Sequence, residues 1–233
     1  MRKRNHRIIF IAIAAFVALL LFGMREVYGR RPPHDGRVDV DRRKREVRFR
    51  ATVQPGAMSR PLGVQGHHAI VWRGGRASTW ALFESHASDH DVRTGLRALG
   101  AKAGENLTPD TWNARDDRNS SEPDKRVEGT AVDVFVVWKG LAKPLALGAF
   151  IAEKNRSVPE LDFRFGGHER YQEEFRSGCI VCLYSCPGGA IGNRARTIRD
   201  YVNDGVIYTS IREKLPPGGT DVTIILKPRL EVS

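Results

Sequence analysis

One stretch of the chain, residues 46–53, reads Glu46-Val47-Arg48-Phe49-Arg50-Ala51-Thr52-Val53. Polar and apolar side chains alternate along its whole length, and a period of two is typical of a strand that buries one face. We therefore predict a half-buried strand here. Because the residues before it are highly charged, we begin the soluble domain at Glu46 and extend it over residues 46–233.

Similar short runs recur towards the carboxyl terminus, and most are bounded by Gly or Pro. They predict strands over 68–72, 78–84, 131–138, 145–151, 161–165, 206–210 and 221–226. One helix is predicted from Asp89 to Leu99, because Ser88 can cap its start and Gly100 can end it. Residues 104–129 are rich in Asn, Asp, Ser and Pro and predict a long irregular loop. The expected fold class is α+β, with a strand-rich mixed or antiparallel sheet and few helices.

The amino terminus has a different composition. Residues 1–7 are basic, and residues 8–24 form an uncharged apolar run. As a helix this run would extend about 25 Å, at the short end of the length that spans a bilayer. We predict one transmembrane helix that anchors the chain in a single pass, with a cleaved signal segment as the alternative. Residues 25–45 combine many charges with Pro and Gly, which predicts a basic flexible linker.

Most of the net charge of the chain lies near this segment. The net charge is +11, but residues 1–50 hold 14 basic and 5 acidic side chains, so the rest of the chain is nearly neutral. Basic residues beside an apolar run are attracted to anionic lipid headgroups, so we expect a membrane partner and no nucleic acid. A short basic start before an apolar run has the form of an export signal, which places the domain outside the cytoplasm. Basic residues on both sides of the run leave the cytoplasmic orientation open.

All three cysteines fall within one short run, Gly178-Cys179-Ile180-Val181-Cys182-Leu183-Tyr184-Ser185-Cys186-Pro187. This spacing allows no disulfide framework across the domain, so the cysteines form a site. Three interpretations stay open. Cys179 and Cys182 form a local disulfide while Cys186 is a buried thiol, or the three thiolates bind a metal or cluster, or the site carries out thiol–disulfide exchange.

The spacing C-x2-C-x3-C-P also matches the last three cysteines of the bacterial ferredoxin pattern C-x2-C-x2-C-x3-C-P. The first cysteine of that pattern would fall at Arg176, so a cluster here would lack one thiolate. His168 is close enough in sequence to supply the missing ligand. Our candidate metal- and cofactor-binding residues are therefore Cys179, Cys182 and Cys186 with His168, and the candidate cofactors are an iron–sulfur cluster or zinc.

The other histidines and carboxylates offer weaker signals. His67 and His68 alternate into a predicted strand, and His90 falls in the exposed first turn of the predicted helix, so we expect structural roles for them. Glu84 and Asp89 are better explained as a strand end and a helix start. No hydrolase or transferase constellation is recognisable, so catalytic residues and enzyme status stay unassigned.

The cysteine run, with Phe165-Gly166-Gly167 before it and Gly188-Gly189 and Gly192-Asn193 after it, resembles the YdjY-like bacterial proteins. Weaker similarities extend the resemblance over about residues 48–226. Such proteins are exported or lipid-anchored and are often described as ferredoxin-like. The resemblance implies an extracytoplasmic domain with the cysteines as its hallmark, but it brings no established activity. The chain departs from the lipid-anchored members because it has no amino-terminal cysteine.

Two functions are consistent with these features. The first is a membrane-anchored cell-envelope protein whose cysteines bind a metal or an iron–sulfur cluster or carry out thiol redox chemistry, with an unknown redox or protein partner. The second is a non-catalytic binding module in which the cysteine turn is structural.

Overall fold

The computed structural model describes residues 36–54, 58, 66–202 and 207–230. The strands in these ranges are β1 Val38–Asp41, β2 Glu46–Val53, β3 His68–Trp72, β4 Phe83–Ser85, β5 Val132–Val137, β6 Leu145–Ala146, β7 Ile151–Glu153, β8 Phe163–Phe165, β9 Cys179–Cys182, β10 Gly189–Asn193, β11 Tyr208–Ser210 and β12 Asp221–Pro228. The α-helices are α1 Asp89–Ala98, α2 Pro109–Asn113, α3 Glu169–Phe175 and α4 Ile198–Val202.

Most of the strands join one mixed sheet. Its order is β6-β5-β12-β2-β4-β3-β9-β10-β8, and β1 pairs with the half of β2 that β4 leaves free. The pairs β3–β4 and β9–β10 are parallel, and the other pairs in this sheet are antiparallel. Strands β7 and β11 form a separate two-stranded sheet. The predicted α+β class with a strand-rich mixed sheet is therefore confirmed.

Strand β2 has the bounds that the alternating sequence predicts. The side chains of Val47, Phe49, Ala51 and Val53 are buried, and Phe49 lies opposite Ile224 on the neighbouring β12. Because successive side chains of a strand point to opposite faces, the apolar positions form one continuous surface on the core side. The alternation thus fixes which face of the central sheet packs into the core.

Helix α1 also forms where the sequence predicts a helix. Ser88 Oγ accepts a hydrogen bond from the backbone N–H of Asp91 at 3.0 Å, and the chain turns at Gly100 with a φ of +92°. Val92 and Leu96 are buried on its inner face. This face packs against β1 and β2, so the helix covers the amino-terminal edge of the core.

The domain begins earlier than the predicted boundary at Glu46. Strand β1 lies within the predicted linker of residues 25–45 and pairs with β2, with Val38 opposite Phe49 and Asp41 opposite Glu46. The linker prediction is wrong for this part, because the charged residues after Asp41 form the turn of a hairpin instead of a solvated tether. The short Val-Asp-Val-Asp alternation gains its register from β2, which composition alone does not show.

Several other elements differ from their predictions. The predicted strands over 78–84 and 145–151 each contain a 3-10 helix, at Ser78–Trp80 and Leu147–Phe150. The predicted loop over 104–129 contains the short helix α2, which Thr108 and Thr111 begin with a capping box. No helix in the described ranges is long and apolar enough to cross a membrane, and the predicted anchor at 8–24 lies outside those ranges.

Candidate thiol site

The cysteines are positioned by an irregular strand at the centre of the sheet. Strand β9 lies between β3 and β10, and its pairing with β3 shifts register on both sides of Ile70. In a regular strand, Cys179 and Cys182 would face opposite sides, because side chains alternate. The two shifts leave one unpaired residue on each strand, Ala69 on β3 and Ile180 on β9, whereas the pairing of β9 with β10 has no such break. The irregularity therefore lies on the strand that carries Cys179 and Cys182.

The three thiols form a chain with Cys182 in the middle. Cys182 is fully buried, and its thiol interacts with those of both Cys179 and Cys186. Burial, together with the neighbouring Cys179 thiol, raises the pKa of Cys182 well above the usual value. The Cys182 thiol and burial likewise raise the pKa of Cys186. Both groups therefore stay protonated at neutral pH, and all three cysteines are free thiols in the structure.

The imidazole beside the cysteines belongs to His68. Its Nδ1 lies 3.3 Å from Cys179 Sγ, and the side chain is buried at the start of β3. The predicted ligand His168 has another role, because its Nδ1 accepts a hydrogen bond from the backbone N–H of Tyr171 at 3.1 Å and caps helix α3. The structural role predicted for His68 is incomplete, since the residue also contacts a thiol.

Ser177 holds the two ends of the cysteine segment together. Its Oγ donates a hydrogen bond to the carbonyl oxygen of Gly188 at 2.7 Å and accepts one from the backbone N–H of Cys179 at 3.2 Å. Gly189 then pairs in parallel register with Cys179. The turn after Cys186 is therefore tied to the start of the strand that carries Cys179 and Cys182.

A cavity of about 370 Å³ opens onto this cluster. Cys179 and Cys186 are among the residues that line it, whereas Cys182 is not. On one wall the rings of Tyr171 and Phe175 stack with centroids 5.3 Å apart, and Trp112 approaches Phe175 at 5.9 Å. The cavity is lined by His67, His68, Arg76, Ala77, Trp80, Trp112, Arg115, Tyr171, Phe175, Ser177, Cys179, Cys186, Gly188 and Tyr201.

The donor atoms do not close into a compact ligand set. Within the described part of the chain, the only group of three such residues whose donor atoms all lie within 4.8 Å of one another is His90, Glu169 and Glu173, which contains no cysteine. Glu169 already pairs with Arg97 at 2.7 Å.

The residues that complete the site carry weaker sequence signals. Tyr171 and Phe175 are four positions apart on α3 and therefore share one face of the helix. That i, i+4 aromatic pair just before the cysteines is the signal that could have predicted the cavity wall. His68 carries no comparable signal, because its contact with Cys179 depends on strand pairing across 111 positions of sequence.

Comparison with known proteins agrees with the extent of the fold. The YdjY domain matches residues 38–227, so the match begins at the first residue of β1. The chain is also 30% identical over 161 residues to the uncharacterized protein YdjY of Escherichia coli (strain K12), an alignment that covers 69% of this chain and 66% of that protein. The chain thus spans about two thirds of the length of that relative. No solved structure matches the chain significantly. The chain belongs to the YdjY domain family.

Proposed function

We propose that the domain is a dithiol–disulfide redox centre in which Cys179 and Cys182 transfer electron pairs to or from a partner in the cavity. The contact that carries this proposal is the 3.3 Å approach of His68 Nδ1 to Cys179 Sγ. A thiol beside an imidazole is the arrangement that generates a reactive thiolate. Cys182 is the adjacent thiol that can complete a disulfide with Cys179.

The roles of the two thiols follow from their positions. Cys179 lines the cavity and reacts first, with His68 accepting its proton. Cys182 is fully buried, and in the second step its sulfur attacks the Cys179 sulfur and displaces the partner that became bound there in the first step. Formation of the Cys179–Cys182 bond releases two electrons and two protons. The two electrons and the two protons all pass to the partner. The raised pKa of Cys182 supports this order, because a thiol that stays protonated is a weak nucleophile and is not the one that attacks first.

The location of the domain is part of the same proposal. We propose that residues 8–24 anchor the chain and that the redox centre lies in the cell envelope, outside the cytoplasm. An oxidising compartment allows a cysteine pair to cycle through a disulfide. A reporter that works only outside the cytoplasm should be active when it is fused after Ser233. If only a reporter that works in the cytoplasm is active there, the orientation is the reverse.

The experiment uses the reduced full chain, purified in detergent without oxygen. It is equilibrated with mixtures of dithiothreitol and its oxidised form, and disulfides are mapped by mass spectrometry. We expect a Cys179–Cys182 bond in the wild type and in Cys186→Ser, and no such bond in Cys182→Ser. Three thiols that stay reduced at every ratio would contradict the redox function.

A second measurement tests the imidazole. Alkylation of Cys179 by iodoacetamide should slow at least about tenfold in His68→Gln, because the proton acceptor is lost. The control is His168→Asn, which keeps a side chain able to cap α3 and should leave the rate unchanged. Equal rates in wild type and His68→Gln would show that the imidazole does not activate the thiol.

A second candidate function is the binding of one soft metal ion, such as zinc or copper(I). It is favoured by the same chain of donors, Cys179, Cys182 and Cys186 with His68. Metal analysis of the purified chain separates the two proposals. A stoichiometric ion that is lost equally in all three Cys→Ser variants would support metal binding. A chain with neither an ion nor a redox-active pair would leave the non-catalytic binding module.

A further inference from the structure

The cavity over the thiols combines aromatic rings with positive charge. Among its lining residues in the described ranges none is acidic, whereas Arg76 and Arg115 are both present. Trp80, Trp112, Tyr171, Phe175 and Tyr201 supply aromatic surface around the thiols. A volume of about 370 Å³ is at the lower end of ligand sites and suits a molecule of two or three fused rings.

Arg115 provides the charge closest to the aromatic wall. Its guanidinium lies 4.3 Å above the ring of Trp112 and donates a hydrogen bond to the Trp112 carbonyl oxygen at 2.8 Å. The carboxylate of Asp116 lies 3.6 Å from the guanidinium and forms an ion pair with it. The arginine is therefore held against the wall, and its charge acts on both Tyr171 and Cys186.

The rim of the cavity carries an exposed aromatic ring. Phe175 is 39% exposed, and within the described residues the other exposed large apolar side chain is Val158, at 72%. Phe175 stacks on Tyr171 and contacts Trp112, so its exposed face continues the aromatic wall outwards. A solvent-exposed apolar ring at the mouth of a cavity is typical of a ligand-binding surface.

We infer that this cavity binds a quinone that carries an acidic group, and that the quinone is the electron acceptor of the thiol pair. The inference rests on the proposed redox function. Planar rings match the aromatic walls, and the acidic group matches Arg115 and Arg76. In the reaction, the Cys179 and Cys182 thiols form one disulfide bond. Their two electrons and two protons convert the two quinone carbonyl oxygens to the hydroxyl groups of a quinol.

The binding experiment uses anthraquinone-2-sulfonate and the full chain in detergent, followed by calorimetry or tryptophan fluorescence. Arg115→Gln should weaken binding about tenfold, because a charge-assisted hydrogen bond is lost. Phe175→Ala should weaken it about fivefold through loss of ring stacking. Uncharged 2-hydroxymethylanthraquinone should be insensitive to Arg115→Gln. The matched controls are Arg170→Gln, an exposed arginine on α3, and Val158→Ala, and neither should change the affinity.

The result that overturns the inference is an affinity for anthraquinone-2-sulfonate that Arg115→Gln and Phe175→Ala leave unchanged. A separate anaerobic measurement follows the absorbance of the quinol formed by the reduced chain, with Cys182→Ser as the inactive control. Binding with the expected variant pattern but without quinol would refute the electron transfer and keep the binding site. A Cys179–Cys182 pair that cycles with dithiothreitol but gives no quinol and no binding would instead preserve the proposed function and reject the quinone.

Discussion

The two halves of the large sheet are built differently. In the half that contains β5, β12 and β2, every pair is antiparallel and the register between β12 and β2 runs without a break from Asp221 to Leu226. In the half that contains β3, β9 and β10, one pair is parallel and the other shifts register twice. We call the first the regular half, because its strands pair without a break. We call the second the irregular half, because its pairing is interrupted on the strand that carries Cys179 and Cys182.

The irregular half also buries more polar side chains, and Asn193 and Ser185 among them form a hydrogen-bonded network. Asn193 on β10 is fully buried, and its Nδ2 donates to the Leu183 carbonyl oxygen at 3.2 Å and to the Tyr208 hydroxyl at 3.1 Å. Ser185 Oγ donates to the Asn193 carbonyl oxygen and accepts from the Val127 backbone N–H at 2.8 Å. Satisfied buried networks stabilise one conformation. The comparison indicates that the regular half supplies stability, while the irregular half is held in an unusual shape for the thiol site.

The largest expected effect comes from breaking the regular half. Phe49→Ala should lower the free energy of unfolding by about 3 to 5 kcal/mol, because it leaves a cavity opposite Ile224 in the core. Denaturant unfolding followed by circular dichroism measures the change. Arg50→Ala on the opposite face of β2 is the control, since its exposed ion pair with Asp221 should contribute less than about 1 kcal/mol. Equal losses in the two variants would mean that this strand is not a core strand.

The next effect tests where the regular half begins. The methyl groups of Val38 and Val47 lie 3.1 Å from the position that a Cβ on Gly95 would occupy, so β1 packs directly beneath α1. The free energy of unfolding of a chain that starts at Glu46 should therefore be about 2 to 3 kcal/mol lower than that of a chain that starts at Gly36. Equal thermal stability of the two chains would restore the linker prediction for residues 38–45.

The sequence predicts the two halves to different degrees, for a physical reason. The bounds of β2 follow from the alternation of its own residues, and α1 follows from Ser88 and its apolar stripe. The cysteine spacing predicts a site, and the chemistry of that site stays a prediction. The contact of His68 with Cys179 cannot be predicted in this way, because it depends on the pairing of two strands distant in sequence. Local patterns determine elements, whereas the pairing of elements determines the site.

A third prediction concerns His86, which follows β4 at the junction of the two halves. Burial, together with the positive charge of Arg73, lowers the pKa of His86 to about 4. The neutral imidazole shares a hydrogen bond with Thr52 Oγ1 at 2.9 Å. The folded-state pKa is lower than the unfolded value of about 6.5. The contribution of neutral His86 to the free energy of unfolding is therefore present above pH 6.5 and is lost as the pH falls towards 4.

The measurement is the free energy of unfolding of wild type and His86→Gln at pH 7 and at pH 4. Between pH 7 and pH 4, the free energy of unfolding of the wild type should fall by about 2 kcal/mol more than that of the variant. Parallel pH profiles for the two proteins would show that His86 titrates alike in the folded and unfolded chains.

The smallest effect sharpens the comparison within the irregular half, where two neighbouring glycines give a matched pair. A Cβ on Gly189 would lie 3.0 Å from the Cβ of Cys182 and 3.8 Å from the sulfur of Cys179, whereas a Cβ on Gly188 would meet nothing closer than 3.6 Å. Gly189→Ala should therefore cost about 1 to 2 kcal/mol by overpacking and should push the two thiols apart, lowering the yield of their disulfide. Gly188→Ala should change stability by less than about 0.5 kcal/mol. If both variants keep the wild-type stability and disulfide yield, the close packing of β10 against the thiols does not position them.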